Sequence, residues 1–185
     1  MKDQEKANKK TKQSWSTKAA MEQVYNMKLW GGNQSGFYSG EGSHLPELVN
    51  PYVDAVATFL SSFENLLVVC DLGCGDFNVG QELIAYSKKY NAVVIVPELI
   101  DYNKNMFNFE NLEFHCLDIS FDELPLGDCA IIKQVLQYLS NTEIVKILRK
   151  LTDFKYVILT EHVPEDPFTT NVIAKRGIAC RFCCA

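Results

Sequence analysis

VVCDLGCGDFNVG, running from Val68 to Gly80, is the stretch on which the fold of this chain turns. The apolar, β-branched residues leading to Leu72 read as a buried strand, and Gly73 and Gly75 directly after it read as a tight strand-to-helix turn. Without side chains, those two positions let the backbone adopt otherwise strained dihedrals and come close to a ligand. The spacing is not that of the dinucleotide fingerprint G-x-G-x-x-G. A third glycine would fall at 78, where the chain has Asn78, and the next glycine is Gly80. Asp71 ends the strand and Asp76 follows the second glycine, so two carboxylates stand where a pyrophosphate would sit and would repel it. The spacing and the charges together argue against a nicotinamide dinucleotide.

Working outward, Ser16 to Met27 is predicted as a short helix, and Trp30 to Ser43 (WGGNQSGFYSGEGS) as a Gly/Ser-rich loop. His44 to Phe63 follows as an amphipathic helix with Leu48, Tyr52, Val56 and Phe59 on its apolar face. Downstream of the glycine turn, helices and strands alternate. A helix from Asn78 to Tyr90 precedes the strand AVVIV (92–96), then come a helix from Glu98, the strand LEFHCL (112–117), the run GDCAIIKQ (127–134), a helix from Asn141 to Leu151 and the strand KYVILTE (155–161). Such alternation implies an α/β fold with a doubly wound, Rossmann-like, mostly parallel sheet and helices on both faces. Ligands of such sheets bind at the carboxyl ends of the strands, near the point where the strand order reverses. The residues at those ends are Asp71 to Asp76, Val94 to Glu98, Asp118 and Ile119, Lys133 and Gln134, and Glu161 and His162.

Composition narrows the class. In 185 residues the hydrophobic fraction is 47% and the charged fraction 22%, and no apolar run approaches the length that spans a bilayer. A soluble protein is expected, with no membrane partner. The net charge of −5 argues against a nucleic-acid platform. Residues 1–18 carry six lysines and form the expected flexible basic tail, with neither a secretory nor an organellar signal, so a cytoplasmic location is the default. Seven cysteines are an odd number, and Cys70, Cys74, Cys116 and Cys129 lie in or beside apolar runs, which suits a reducing compartment. Cys180, Cys183 and Cys184 include a C-x-x-C without a fourth zinc ligand, and no metal is expected.

Four segments together make the chain resemble the class I S-adenosylmethionine-dependent methyltransferases, in particular a small bacterial-type group. They are D-x-G-x-G-D at Asp71 to Asp76, HCLD with Ile119, IIKQVLQYLSNTEI after the fourth strand, and WGGNQSGFYSGEGSHLPEL upstream. S-adenosyl-L-methionine has no phosphate and carries an ammonium and a sulfonium, so it suits an acidic turn. The resemblance implies that Asp71, Gly73, Cys74, Gly75 and Asp76 surround this cofactor, that Asp118 accepts the adenine amino group, and that Ile119 lies against the ring. It makes Lys133 and Gln134 a polar pair at the site, with Ser140 or Asn141 capping the following helix. Trp30, Ser39, Gly40, Gly42 and Ser43 would fold over the cofactor or acceptor. The chain then divides into the tail, N-terminal helices with a cap loop over 19–63, and a cofactor-binding core over 64–185.

Two features depart from the pattern. Where the second strand of the family ends in an acid that bridges the ribose hydroxyls, this chain has Val94, and Glu98 either reaches back to the ribose or serves as a helix-start carboxylate. Only about two dozen residues follow Glu161, too few for the family's last helix and strand pair, so the C-terminal strands are expected to be incomplete. Either the product is truncated or alternatively ended, or VIAKRGIACRF supplies one edge strand. An uncovered sheet edge would favour a homo-oligomer. Methyl transfer is a direct displacement, which needs alignment of the reactants and exclusion of water rather than a covalent nucleophile. If the acceptor carries a proton, the candidate bases are Glu41, His44, Glu161 and His162. Trp30, Ser43, His44 and Glu161 are the substrate and cap candidates. The acceptor is a small molecule or an unidentified macromolecule; the competing reading is an inactive domain of the same fold that serves as an interaction partner.

Overall fold

A computed structural model of the chain describes residues 15–32 and 36–162. Most of the expected basic tail, the Cys180, Cys183 and Cys184 cluster and the VIAKRGIACRF segment lie outside these residues. Ser16 caps α1 (Thr17–Asn26), its hydroxyl accepting from the Ala19 amide at 3.2 Å. Next come α2 (Pro46–Ser61), β1 (Val68–Leu72), β2 (Lys89–Val94), α3 (Pro97–Met106) and β3 (Leu112–Cys116). The described part closes with β4 (Cys129–Lys133), α4 (Asn141–Leu151) and β5 (Tyr156–Thr160). Short 3-10 turns occupy Glu41–Ser43, Gly80–Tyr86 and Leu136–Tyr138.

The five strands are all parallel and lie in the order β3-β2-β1-β4-β5. The chain runs outward from β1 in one direction and then from β4 in the other, so the crevice between their carboxyl ends is the switch point of the sheet. Alternate residues serve opposite faces. Val69, Cys129 and Ile131 join a core with Val56 and Leu60 of α2 and Leu99 of α3. Cys70, Leu72, Ala130 and Ile132 join a second core with Ile147 and Leu151 of α4. Burial on both faces explains why these strands read as nearly continuous apolar runs. Along β5, Tyr156 and Ile158 pack on the first core, while Val157 and Leu159 are exposed.

Three expectations are corrected. The helix foreseen over Asn78 to Tyr90 is the 3-10 turn Gly80–Tyr86, and β2 begins at Lys89 rather than Ala92. Ser87 turns extended (φ −125°, ψ 146°), and Tyr90 is drawn into the sheet, where its hydroxyl donates to the buried carboxylate of Asp71 at 3.1 Å. Pairing with β1 and β3, together with this hydrogen bond, overrides the local helical pattern. The apolar stripe of α2 is also rotated. Val49, Val56, Ala57 and Leu60 are buried, Tyr52 and Phe59 are only partly covered, and Leu48 is 51% exposed.

The boundaries of α4 match the expected Asn141 to Leu151, because its start is written locally. The Ser140 hydroxyl accepts from the Glu143 amide, and the Glu143 carboxylate accepts from the Ser140 amide at 2.8 Å, a reciprocal capping box. Ser140→Ala is expected to lower stability by about 1 kcal/mol. Urea denaturation checks this; an unchanged midpoint would show that the cap contributes nothing.

Candidate functional site

The floor of the switch-point crevice is the glycine turn. Gly73 (φ +106°) and Gly75 (φ +57°) both lie in the left-handed region, and a Cβ would drive Gly73 into the Val135 side chain and Gly75 into Ser39. The amides of Gly73 and Cys74 both donate to the Val93 carbonyl, at 2.8 and 3.0 Å. From α3, the fully buried Asn103 donates its side-chain amide to the Gly75 carbonyl at 2.9 Å.

Above this floor a cleft opens, and it gathers many of the residues anticipated from sequence. Gly73, Cys74 and Gly75 form its base, Asp118 and Ile119 one end, and Lys133 and Gln134 the side against β4. Trp30, Ser39 and Ser43 border it from the upstream loop. Asp118 is held rigidly: one carboxylate oxygen accepts from the Ser120 amide at 2.9 Å and from the Ser120 hydroxyl at 2.6 Å. Gln134 takes a left-handed backbone (φ +55°), rare for a residue with a side chain, while its amide donates to Thr160 at 2.7 Å. The end of β2 presents only apolar groups, with Val93, Val94, Ile95 and Val96 in the lining.

Other anticipated residues are placed elsewhere. Asp76 turns away from the cleft lining and ties down the loop ahead of α2. Its carboxylate accepts from the Ser39 amide at 3.0 Å and sits 2.6 Å from His44 Nε2, and its own amide donates to the Ser39 hydroxyl at 2.8 Å. His44 is therefore spoken for, and stacks on Tyr38 with ring centroids 4.2 Å apart. Glu161 accepts from the amides of Val135 and Leu136 at 2.9 and 2.8 Å, so it fastens the turn after β4 instead of facing the cleft. Glu98 is an exposed residue in the first turn of α3, outside the lining. Glu41 and His162 are exposed.

Asp71 points beneath the turn. It is buried, and burial pushes its carboxyl up to about 7, against the pull of the Tyr90 hydrogen bond and the Lys133 charge. Lys133 donates to the Gly42 carbonyl at 2.6 Å, and burial lowers its pKa while Asp71 and Glu161 oppose that shift.

One wall was not foreseen. Thr17, Met21 and Tyr25, one helical turn apart along α1, line the cleft opposite the glycine turn together with Tyr138 and Leu139. Thr17 donates its hydroxyl to Glu143 of α4, and the Tyr25 and Ser39 hydroxyls meet at 3.0 Å. The spacing on α1 is visible in the sequence, but nothing local says which face meets the cleft. Trp30 packs edge-on to Tyr25 at 5.2 Å, with its indole nitrogen buried and without a partner.

No protein-family model matches this sequence, and no curated protein does. Solved structures do match in fold. The magnesium protoporphyrin IX methyltransferase of Synechocystis, solved with bound S-adenosylmethionine, aligns with a TM-score of 0.56 at 18% identity over 78% of this chain and 74% of that one. A S-adenosylmethionine-dependent methyltransferase of Leishmania major aligns with a TM-score of 0.52 at 13% identity over 61% of this chain, and the chain spans about half of it (48%). The [4+2]-cyclase SpnF aligns with a TM-score of 0.54 at 14% identity over 74% of this chain and 57% of that one. The chain thus has the fold of the class I S-adenosylmethionine-dependent methyltransferases. A cyclase among the neighbours illustrates that this fold does not dictate the reaction.

The buried Asp71 makes stability depend on pH. Its folded-state pKa is raised from 3.8 to about 7, so between those values the folded chain holds a proton that the unfolded chain has lost. This contribution is complete below the lower value and is lost as pH rises through the upper one. Asp71→Asn is expected to flatten the profile, leaving the variant more stable than the parent by a few kcal/mol at pH 8 relative to pH 5. Urea denaturation across that range checks it, and parallel profiles would refute it.

Proposed function

We propose that this chain binds S-adenosylmethionine in the switch-point cleft and transfers its methyl group to an acceptor that is a small molecule or a macromolecule. The observation that carries this reading is that one cleft unites the glycine turn with Asp118 and Ile119, residues more than forty positions apart in the chain. The donor set suits the cofactor in three respects. Gly73 and Gly75 offer bare backbone, Asp118 offers a fixed carboxylate that can accept from the adenine amino group, and Leu117 and Ile119 offer apolar surface for a purine. The apolar end of β2 does not offer the usual ribose partner.

Bound there, the cofactor would supply an electrophilic methyl group. The chain's own part would then be alignment and exclusion of water, with α1, Trp30 and Tyr138 walling the cleft and Lys133 and Gln134 bordering the reacting end. We further propose a cytoplasmic protein, divided as a basic tail, a cap region and a core, whose exposed β5 edge favours self-association.

Calorimetric titration with S-adenosylhomocysteine tests the reading. Micromolar binding by the parent is expected, lost in Gly73→Arg and weakened about tenfold to a hundredfold in Asp118→Ala, as for a buried charged hydrogen bond. No binding by a folded parent sinks it. Val94→Asp is expected to tighten binding about tenfold by supplying the ribose acceptor; an unchanged affinity would mean that the ribose lies elsewhere.

A further inference from the structure

Beneath the glycine turn a smaller chamber adjoins the cleft, for Ser43, Gly73, Cys74 and Lys133 line both. Tyr52 from α2, Asp71 from β1, Asp76 from the turn and Tyr90 from β2 complete its walls. Its volume is about 30 Å³, which admits about two water molecules. The walls are polar enough to hold them. The Tyr52 hydroxyl is buried without a partner, a costly state unless water supplies one. Asp71 accepts from Tyr90, and although Asp71 and Lys133 share the chamber, they form no direct ion pair. Water held in that gap would be within reach of all three.

We propose that Asp71 is the proton-holding group of the cleft, exchanging its proton with the cleft through water in this chamber, past Tyr52 and Lys133. The inference rests on the function proposed above. The groups facing Asp71 are Tyr52 from α2, Tyr90 from β2, Lys133 from β4, and Cys74 and Asp76 of the turn, while Glu161 beyond β5 faces Lys133. Burial pushes the Asp71 carboxyl up to about 7, against the pull of Tyr90 and Lys133, to a range where a group can both take and return a proton. Of the more obvious bases, His44 is held on Asp76 and Glu161 gives one carboxylate oxygen to two backbone amides, its other oxygen being buried outside the cleft lining. When an acceptor bearing N–H or O–H is methylated, its bond to the methyl carbon forms and the carbon–sulfur bond breaks, its electrons staying on sulfur. The acceptor's proton must then leave; it passes to the chamber water and ends on the Asp71 carboxylate, which becomes neutral. Asp71 acts through the water and is a positioning residue in that sense.

The test is a carbon-13 NMR titration of the full chain labelled at its aspartate carboxyls, with and without saturating S-adenosylhomocysteine, beside the calorimetric titration. Asp71→Asn identifies the signal by its loss, and Tyr52→Phe perturbs the same signal should the first variant fold poorly. The expected result is a midpoint near neutrality that moves by about half a pH unit or more on ligand saturation, and a smaller movement in Tyr52→Phe. A midpoint below about 5, or one that ignores the ligand in a chain that binds it, overturns the role of Asp71 and leaves the proposed function standing. Absence of calorimetric binding overturns both.

Discussion

Two amide hydrogens, those of Gly73 and Cys74, converge on the single carbonyl of Val93, and the geometry of the cleft depends on that convergence. It bends the chain sharply as it leaves β1 and fastens the bend to the end of β2. Asn103 of α3 holds the next carbonyl of the turn. Phe77, fully buried with a left-handed backbone, wedges among Tyr90, Phe107 and Phe114. A turn held from so many sides keeps Phe77 in its left-handed backbone and gives the cleft a fixed floor of backbone.

The two acids of the turn, adjacent in the motif, do opposite work. Asp76 is turned toward the upstream loop and gathers Ser39 and His44, with Asn78 beside it holding the Ser43 carbonyl, so the glycine-rich loop ahead of α2 is tied across the turn. Lys133 and Gln134 meet that loop at Gly42 from the other side. Asp71 faces inward and forms the polar heart of an otherwise apolar layer, kept in place by Tyr90 and balanced by Lys133 at a distance. The acidity read from the motif is therefore split between a clamp and a buried store, and neither carboxylate lines the main cleft.

Much of the architecture is written in short windows of sequence. α4 begins and ends where its capping box and apolar spacing say, and α1 begins after the Ser16 cap, because both ends are decided by hydrogen bonds within one turn of helix. Strands buried on both faces announce themselves as apolar runs, and their alternation with helices leaves a parallel sheet as the economical solution. Gly73 and Gly75 mark the turn at the floor of the cleft because glycine takes those dihedrals without strain. Asp118 and Ile119 follow from their place at the end of β3 in such a sheet.

What the windows do not contain is the direction in which a polar side chain turns once its distant partners arrive. Glu161 was available as a base until the amides of Val135 and Leu136 claimed it, and His44 until Asp76 did. Tyr90 left a helical pattern for the sheet, where it pairs between β1 and β3 and its hydroxyl reaches a buried carboxylate 19 residues earlier. α1 became a wall of the cleft through Thr17 and Glu143, which are 126 positions apart. The sequence by itself determined the layering, the strand count of the described sheet and the site of the crevice, since these follow from hydrophobic pattern and local caps. Only the tertiary structure decided which acids face the cleft and which hold the protein together, since hydrogen bonds between remote groups are settled by packing.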